Sequence, residues 1–166
     1  MRLPIPQMDM MDYDVKFLAH CTAQIPVLAT LWFNELGKQW IPNASIAKAI
    51  ENYQTHTNIH QLPLTLVAFF RDKPIAMASL RENDGIRPDL TPWLGSVIVH
   101  PAYRRKKIGE QLINLIKHQA RHMAYKKLYL FTLDLTIHQW YEKLGFSCIG
   151  TDKLYHHPVN VMEIVL

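Results

Sequence analysis

The stretch that decides the fold is Val97–Leu112, VIVHPAYRRKKIGEQL. A run of β-branched residues ends at a His-Pro pair, four consecutive cations follow, and an Ile-Gly pair opens a segment with helical periodicity. Cations are disfavoured at the start of a helix, by up to about 1 kcal/mol each, because the helix dipole is positive there. The arrangement therefore indicates either an anion bound in the turn or four solvated cations. The charge run alone favours solvated cations.

The predicted turn has the elements of an anion-binding site. The first turn of a helix leaves about four backbone N–H groups without intrahelical partners, and these donors attract phosphate groups together with the helix dipole. Gly109 lacks a side chain, so a ligand can approach its backbone closely. The four cations, Arg104, Arg105, Lys106 and Lys107, could neutralise a pyrophosphate.

The composition is typical of one globular domain. The chain has 166 residues, of which 49% are hydrophobic, and it carries a net charge of +4. A domain of this length buries enough surface to fold without a disulfide or a metal. A charge of this size does not by itself predict nucleic-acid binding. The two cysteines, Cys21 and Cys148, form no CxxC motif and are expected to be free thiols in a reducing compartment.

No segment of the sequence predicts export or membrane association. The N-terminal segment MRLPIPQMDMMDYD contains acids and prolines and lacks the apolar core of a signal peptide. The longest apolar run, Leu62–Phe70, is interrupted by Pro63 and Thr65 and is far shorter than the roughly 18–20 residues that span a bilayer. We therefore expect a soluble, cytoplasmic protein that binds no membrane.

Hydrophobic periodicity divides the chain into helices and strands. Helices are predicted at Ile25–Leu36 with Gly37 as the stop, after a cap at Asn43 or Ser45, at Lys107–Met123 and at His138–Leu144. Strands are predicted at Tyr13–Leu18, Thr65–Phe70, Ile75–Leu80, Trp93–Val99, Leu128–Leu133, Phe146–Gly150 and Val159–Val165. This order predicts an α/β sandwich of two or three layers around a mixed sheet.

Two motifs, in this order, resemble the GCN5-related N-acetyltransferases (GNAT). The pattern V-x-V-x-P-x-Y-R-x-x-x-I-G-x-x-L of Val97–Leu112 is similar to the family's acetyl-CoA-binding motif, and YEKLGF at Tyr141–Phe146 is similar to a later landmark. The segment LTLVAFFRDKPIAMASL resembles the family's hairpin of its second and third strands. The resemblance implies one GNAT-like domain over residues 1–166. Its class is α/β (α+β), with a mixed, mostly antiparallel sheet of about seven strands flanked by about four helices.

The resemblance also implies acetyl-CoA as the co-substrate. The backbone of Val97, Ile98 and Val99 is then expected to bind the pantetheine arm as an added strand would. The pyrophosphate is expected in the turn formed by Arg104, Arg105, Lys106, Lys107, Ile108, Gly109 and Glu110. No metal is expected, because His118 and His122 lack the glutamate of an HExxH motif.

The turn departs from the family pattern at one position. With Arg104 as the first residue of the family's Q/R-x-x-G-x-G/A loop, the first glycine of the loop is replaced by Lys107 and only Gly109 remains. A glycine is favoured there because the backbone packs against phosphate and can require a positive φ. Lysine keeps its N–H for this contact if it lies in helical geometry, and its ammonium could reach a phosphate. The alternative is that the substitution weakens cofactor binding.

Direct transfer of an acetyl group to an amine needs an acid and a base. Tyr141 matches the family tyrosine that protonates the departing thiolate, and a phenol with a pKa of about 10 is protonated at neutral pH. The alternative for Tyr141 is a packed aromatic residue beside Trp140. Glu82 is the candidate base, and Asp84 and Asp89 lie in the same acidic loop, where all three could act through water, attract a cationic amine or simply be solvated. No covalent intermediate is expected, since neither cysteine lies in a Cys-His motif.

Three functions remain open from the sequence. The first is an acetyl-CoA-dependent N-acetyltransferase whose acceptor is an amine, with a cationic amine favoured by the acidic loop and Trp40 as an acceptor-binding candidate. The second is a catalytically silent CoA-binding or interaction domain of the same fold, which Lys107 and the lack of a carboxylate in the strand Thr91–Val99 keep open. The third, a nucleic-acid-binding module, is disfavoured by the acidic residues near the basic turn and by the lack of an RRM, KH or HTH pattern. Dimers are common in the family, but no interface signature indicates a homodimer here.

Overall fold

One seven-stranded sheet organises the fold. A computed structural model describes residues 12–166. Most of the N-terminal segment MRLPIPQMDMMDYD, in which no signal peptide is predicted, therefore lies outside the described residues. The strands are β1 Asp14–Phe17, β2 Leu64–Phe70, β3 Lys73–Arg81, β4 Trp93–Val99, β5 Lys127–Thr132, β6 Ser147–Leu154 and β7 His157–Val165. Their order in the sheet is β1-β2-β3-β4-β5-β7-β6, which confirms the predicted number of strands.

Four helices flank the sheet in the described part of the chain, as predicted. The first, α1, has an α-helical segment at Ile25–Trp32, a π-helical turn at Phe33–Gly37 and a last α-helical turn at Lys38–Trp40. The others are α2 Ile46–Gln54, α3 Ile108–His122 and α4 Leu135–Lys143. None of these helices is long and apolar enough to cross a bilayer.

Gly37 does not end α1, contrary to the expectation from the sequence. Its φ of −59° and ψ of −50° are helical, and the helix continues to Trp40. A Cβ on Gly37 would lie 2.4 Å from the ring of Trp32, so the absence of a side chain lets that ring pack against the helix. The role of Gly37 is therefore packing and not termination.

Of the two candidate caps for α2, the structure selects Ser45. The Ser45 hydroxyl accepts a hydrogen bond from the Lys48 N–H at 3.1 Å, which satisfies one of the free donors of the first turn. Asn43 lies two residues earlier with a φ of 57°. Asn43 therefore belongs to the turn between α1 and α2 and does not cap the helix.

Two further boundaries differ from the predictions by more than two residues. Helix α4 begins at Leu135 instead of His138, because the Asp134 carboxylate caps it by accepting a backbone N–H of its first turn. Strand β6 extends to Leu154 instead of ending at Gly150, because it pairs along its length with β7 in a hairpin. Both differences lengthen an element that the sequence located correctly.

The sheet is mixed but mostly antiparallel, as predicted. Every neighbouring pair of strands is antiparallel except β4 and β5. Parallel neighbours need a long crossover, and α3 makes it here. The C-terminal end of β4 and the start of α3 are therefore brought together beside β5.

Alternating residues of the central strands face two different helix layers. Leu66 of β2 and Ala78 of β3 belong to a buried cluster that includes the apolar face of α3. Their chain neighbours Val67 and Met77 belong to a second buried cluster with Leu28 of α1. Side chains of a strand point alternately to its two faces, so helices cover both sides of the sheet. Of the two predicted sandwich arrangements, the structure has the one with three layers.

Candidate active site

A cleft opens where β4 and β5 separate. The two strands are paired only at Trp93 and Tyr129. Beyond that pair, the β5-facing edge of β4 has no strand partner in residues 12–166. The gap holds a cavity of about 710 Å³, here called the β4–β5 cleft, which is lined by Leu94–Val99 and by residues 130–133. The predicted arm-binding backbone, Val97–Val99, therefore borders a cavity and an unpaired strand edge.

A left-handed turn leads from β4 into α3. Arg105 has a φ of 64° and Lys107 a φ of 62°, in a region that is unfavourable for residues with a Cβ. Lys107 is the N-cap residue of α3 and makes no side-chain capping bond. Lys107 therefore does not meet the condition of helical geometry, and the helix predicted from Lys107 begins one residue later, at Ile108. The chain has to change direction at Lys107 before the helix starts, which is the physical reason that a glycine suits this position.

The start of α3 presents backbone donors to the cleft. The first intrahelical hydrogen bond runs from the Gln111 N–H to the Lys107 carbonyl at 3.1 Å. The N–H groups of Ile108, Gly109 and Glu110 precede it and have no acceptor within the helix. All three residues line the cleft. These donors and the positive end of the helix dipole make the start of α3 suitable for an anion.

Three of the four predicted cations line the same cleft. They are Arg104, Arg105 and Lys107, whereas Lys106 lies outside the lining. The Arg104 side chain is fixed by two hydrogen bonds, from Nε to a backbone carbonyl of β4 at 3.1 Å and from Nη2 to a Glu35 carboxylate oxygen at 2.6 Å. Glu35 lies in the π-helical turn of α1. The sequence gives no signal for its role, because a lone glutamate in a helix is ordinarily solvated.

Gly109 keeps the cleft open beside α3. A Cβ there would lie 3.4 Å from the Trp140 ring and 3.5 Å from Val99 Cγ2, which are ordinary contact distances. The glycine therefore avoids no clash within the chain, and its missing side chain leaves space for a ligand. Trp140 lines the cleft as well, although the sequence suggested only a packing role for it.

Tyr141 lies in the wall of the β4–β5 cleft. Its side chain is 7% exposed and packs against Trp140 and Phe146, with ring centroids 4.9 Å and 5.6 Å away. Burial raises the pKa of the Tyr141 hydroxyl well above its usual range. The phenol therefore keeps its proton at neutral pH. The two roles expected for Tyr141, packing and proton donation, are compatible in this position.

A second cavity, here called the side chamber, adjoins the cleft and has a volume of about 590 Å³. The two cavities share Leu36, Asp84, Ser96, Phe131 and Leu133. Glu82 lines only the side chamber, whereas Asp84 stands at the junction. Asp89 lines neither cavity and forms an exposed ion pair with Arg87 at 2.8 Å. Of the three acidic loop residues, the structure thus brings two to the cavities.

Arg81 organises a partly buried polar cluster at the junction. Its guanidinium donates from Nε to His56 at 2.9 Å, from Nη1 to Asp84 at 2.8 Å and from Nη2 to the Ser96 hydroxyl at 2.7 Å. A Cβ on Gly95 would lie 2.5 Å from Arg81 Nη1, so a glycine is needed where the guanidinium crosses β4. Ser96 has a φ of 49° at the point where the pairing with β3 shifts register. The cluster therefore joins a strand irregularity to both cavities.

The hydrogen bonds fix the protonation of His56. Its Nε2 accepts from Arg81, so Nδ1 carries the proton and donates to the Asn52 carbonyl at 2.9 Å. Burial, followed by the charge of Arg81, lowers the pKa of His56 to about 4. Burial raises the pKa of the Asp84 carboxyl, and the Arg81 guanidinium offsets part of that rise. At neutral pH the cluster holds a neutral imidazole beside an ion pair.

Sequence patterns missed this cluster, although one signal was available. Arg81 directly follows the apolar run of β3, where a charged residue is unusual. Tyr53 lies in the last turn of α2 and His56 lies just beyond its end, and neither has a sequence relation to Arg81. The Tyr53 hydroxyl lies beside Arg81 and Ser96 and is the one buried side-chain oxygen or nitrogen in residues 12–166 without a hydrogen bond.

Two other predictions concern residues near the cleft. Trp40 lines the cleft and packs edge-on against His157, with ring centroids 5.1 Å apart. His118 and His122 stack on an exposed face of α3, 5.4 Å apart. No group of three or more His, Cys, Asp or Glu side chains that could hold a metal occurs in residues 12–166. Trp40 therefore remains a candidate for acceptor binding. The pair His118 and His122 has no third metal ligand in residues 12–166.

Comparison with known sequences agrees with the geometry of the cleft. Residues 29–146 match the model of the acetyltransferase (GNAT) family. Amino-acid acetyltransferases of Yersinia pseudotuberculosis and Yersinia pestis are 39% identical to this chain over 71 residues. Those residues are 43% of this chain but only 15% of the relatives. The chain therefore corresponds to a small part of these relatives.

Solved structures with a similar fold include acetyltransferases and cofactor complexes. An acetyltransferase from Streptococcus agalactiae has a TM-score of 0.71 and 18% identity, covering 93% of this chain and 98% of that one. An aminoglycoside 6'-N-acetyltransferase complexed with coenzyme A has a TM-score of 0.70 and 15% identity, covering 92% and 96%. A Salmonella typhimurium protein solved with acetyl-CoA has a TM-score of 0.74 and 15% identity, covering 93% and 94%. At these identities the likeness concerns the fold.

The left-handed turn predicts that Lys107→Gly stabilises the protein. Releasing a non-glycine residue from this conformation is worth roughly 1–2 kcal/mol, and the greater freedom of glycine in the unfolded chain costs about 0.5–1 kcal/mol. We expect a net gain of roughly 0.5–1 kcal/mol in the free energy of unfolding, measured by denaturant titration. Lys106→Gly is the control and should lower stability, since Lys106 has no positive φ. Equal effects of the two variants would contradict the strained turn.

The buried imidazole predicts a loss of stability in acid. The folded-state pKa of His56 is about 4, below the ordinary value of about 6.5, so the unfolded chain binds the proton more readily. The neutral His56 therefore contributes about 3 kcal/mol to the free energy of unfolding at neutral pH. This contribution is fully present above pH 6.5 and is lost as the pH falls towards 4. Urea titrations between pH 4 and 7.5 should show a flatter pH profile for His56→Gln than for the parent, and His60→Gln should keep the parent's slope. Identical slopes for the parent and His56→Gln would rule this origin out.

Proposed function

We propose, since this chain belongs to the GNAT family of acetyltransferases, that it moves an acetyl group from acetyl-CoA to a primary amine by direct transfer. The observation that carries the proposal is the β4–β5 cleft. One cavity there combines an unpaired strand edge, free N–H groups at a helix start and three cations. Its volume of about 710 Å³ lies within the range of cofactor sites. The acceptor amine belongs to a small molecule or a peptide.

The residues of the cleft fit acetyl-CoA in shape and in charge. The edge of Val97–Val99 offers backbone donors and acceptors to an extended pantetheine arm. The N–H groups of Ile108–Glu110 suit a pyrophosphate, and the side chains of Arg105 and Lys107 neutralise it. Arg104, already paired with Glu35, adds a further guanidinium beside the phosphates. Lys106 lies outside the lining and would act on the phosphates only through its charge. Acetyl-CoA supplies the reactive thioester.

The proposed reaction moves one acetyl group and two protons. The amine nitrogen forms a bond to the acetyl carbon, and the C–S bond breaks. Tyr141 donates a proton to the departing sulfur and recovers one from solvent, a role that its buried, protonated hydroxyl supports. The amine has to lose a proton, because an ammonium has no lone pair. Glu82, in the side chamber, accepts that proton directly or through water.

Two alternatives to this proposal have a specific basis. The curated relatives are named amino-acid acetyltransferases, which makes the α-amine of an amino acid a second candidate acceptor. A catalytically silent CoA-binding domain is the other, because Lys107 stands where the family loop has glycine. The first alternative keeps the chemistry and changes the acceptor. The second keeps the cleft and removes the chemistry.

The wider setting of the protein is part of the same proposal. We treat residues 1–166 as one acetyltransferase domain, and the continuous sheet from Asp14 to Val165 supports this. A cytoplasmic location is supported by the two free cysteines, Cys21 and Cys148. No nucleic-acid or membrane partner is invoked, and a homodimer stays a prediction.

Calorimetric titration with acetyl-CoA tests the proposal. We expect saturable binding with a dissociation constant in the roughly micromolar range common for enzyme substrates. Binding should largely survive raised salt, since salt screens the exposed cations Arg104, Arg105 and Lys107 but acts little on backbone hydrogen bonds to Val97–Val99. Desulfo-CoA should bind similarly and ADP weakly. Amine-dependent release of free thiol then reports transfer: binding without release would favour the silent domain, and no binding would contradict the proposal.

Tyr141→Phe separates the acid from its packing role. Removing a general acid typically costs at least a hundredfold in rate, so we expect kcat for thiol release to fall by about a hundredfold with little change in acetyl-CoA affinity. Tyr125→Phe removes a hydroxyl from a tyrosine that lines neither cavity and is the matched control. An unchanged kcat for Tyr141→Phe would leave Tyr141 only its packing role.

A further inference from the structure

The side chamber has the size and position of a ligand site. Its volume of about 590 Å³ lies within the range of 300–1,000 Å³ found for small-molecule sites. It meets the β4–β5 cleft at Asp84 and Ser96. A molecule in the chamber would therefore lie next to one held in the cleft. If the proposed function holds, that molecule is the acceptor.

The charged groups of the chamber sum to one negative charge. The charged lining residues are Arg81, Glu82 and Asp84. Arg81 and Asp84 neutralise each other in their ion pair of 2.8 Å. His56 is also in the lining and accepts a hydrogen bond from Arg81, which requires a neutral imidazole. Glu82 is the remaining charge and makes no ion pair within residues 12–166.

The remaining walls are mostly apolar. Trp32, Ile41, Phe131, Leu133, Leu154 and Tyr155 contribute to the lining. The neutral polar side chains of the lining, among them Asn52 and Thr55, offer hydrogen bonds but no charge. A hydrocarbon or aromatic body gains from burial against such walls, whereas a second charged group would lose its water without a partner.

An α-carboxylate would meet an unfavourable environment in this chamber. Arg81 is the only cation among the residues that line the side chamber. Three of its N–H groups already donate to His56, Asp84 and Ser96. A carboxylate added beside Arg81 would also face the negative charges of Asp84 and Glu82. The chamber therefore favours an amine over the corresponding amino acid.

We infer that the side chamber takes an amine with a single positive charge on an apolar or aromatic body and without a carboxylate. This rests on the proposed function and narrows its acceptor to one chemical class. The ammonium enters against Glu82 and the Asp84–Ser96 junction, and the body lies along the apolar walls. Polyamines and aminoglycosides are disfavoured by the lack of further unpaired carboxylates. Amino acids are disfavoured by the lack of a free cation.

Thiol release measured with matched amines tests the inference. Hexylamine should have a kcat/KM at least tenfold above that of hexane-1,6-diamine, although the diamine offers two reactive groups. The kcat/KM of hexylamine should exceed that of butylamine by about fifteenfold, since each of its two additional buried methylenes is worth about fourfold. 2-Phenylethylamine should exceed phenylalanine at least tenfold, since the two differ only in the carboxylate. A diamine or an amino acid that equals or exceeds its partner overturns the inference.

A variant of Glu82 tests the role assigned to its unpaired carboxylate. Glu82→Gln should raise the KM for hexylamine about threefold, since Glu82 is exposed and exposed ion pairs are weak. It should also narrow the preference for 2-phenylethylamine over phenylalanine. Glu51→Gln removes a carboxylate from the exposed face of α2, outside the lining, and should leave both quantities unchanged. A preference that is the same in Glu82→Gln and in the parent would overturn the assigned role of the charge.

Direct binding keeps this test separate from that of the proposed function. The same amines are titrated calorimetrically into the protein, alone and saturated with desulfo-CoA. The affinity order should follow the kcat/KM order. If acetyl-CoA fails to bind but the amines bind in this order, the proposed function fails and the chamber's ligand class stands. If acetyl-CoA binds but neither hexylamine nor 2-phenylethylamine binds, the inference is overturned and the cofactor cleft stands.

Discussion

β4 and β5 run parallel, with α3 as the crossover that such a pair requires, yet they share only the pair Trp93 and Tyr129. Backbone N–H and C=O groups need partners wherever water is excluded. The unpaired edge of β4 is tolerated because it borders a cavity instead of packed side chains. An extended ligand arm with its own amides is a suitable partner for such an edge. In the proposed function, the gap in the sheet therefore provides the space of the site and part of its recognition.

The turn into α3 connects this gap to the first helix. Arg104 is held at the end of β4 by a backbone carbonyl and is tied to α1 by Glu35. The π-helical turn that carries Glu35 also places Leu36 in both cavities. Local π geometry is often found at functional sites. The irregular backbone in α1 and in the turn thus brings together the side chains of Glu35 and Arg104.

The sequence was sufficient to predict the helices, the strands and the basic turn before α3, but not the polar cluster around Arg81. Strand and helix periodicity is local, so the strands around the RDKP hairpin and the helix after the basic turn could be located. Gly37 was misinterpreted because a glycine that admits the Trp32 ring has the same local signature as a helix stop. Lys107 was assigned the wrong conformation for a related reason: positive φ is set by the path of the chain. Arg81, His56 and Tyr53 meet only through tertiary folding, and no spacing rule joins them.

The partly buried cluster around Arg81 is difficult to justify by stability alone. Buried ion pairs often lose as much in desolvation as they gain in attraction. The structure also accommodates a glycine under the guanidinium, a positive φ at Ser96 and an unpaired hydroxyl on Tyr53. These unfavourable features accompany one arrangement, in which Arg81 holds Asp84 and Ser96 at the junction of the two cavities. Three hydrogen bonds from one guanidinium hold His56, Asp84 and Ser96 in place, and groups held without reorganisation serve recognition and catalysis best. The placement of the cluster at that junction is therefore better explained by function than by folding.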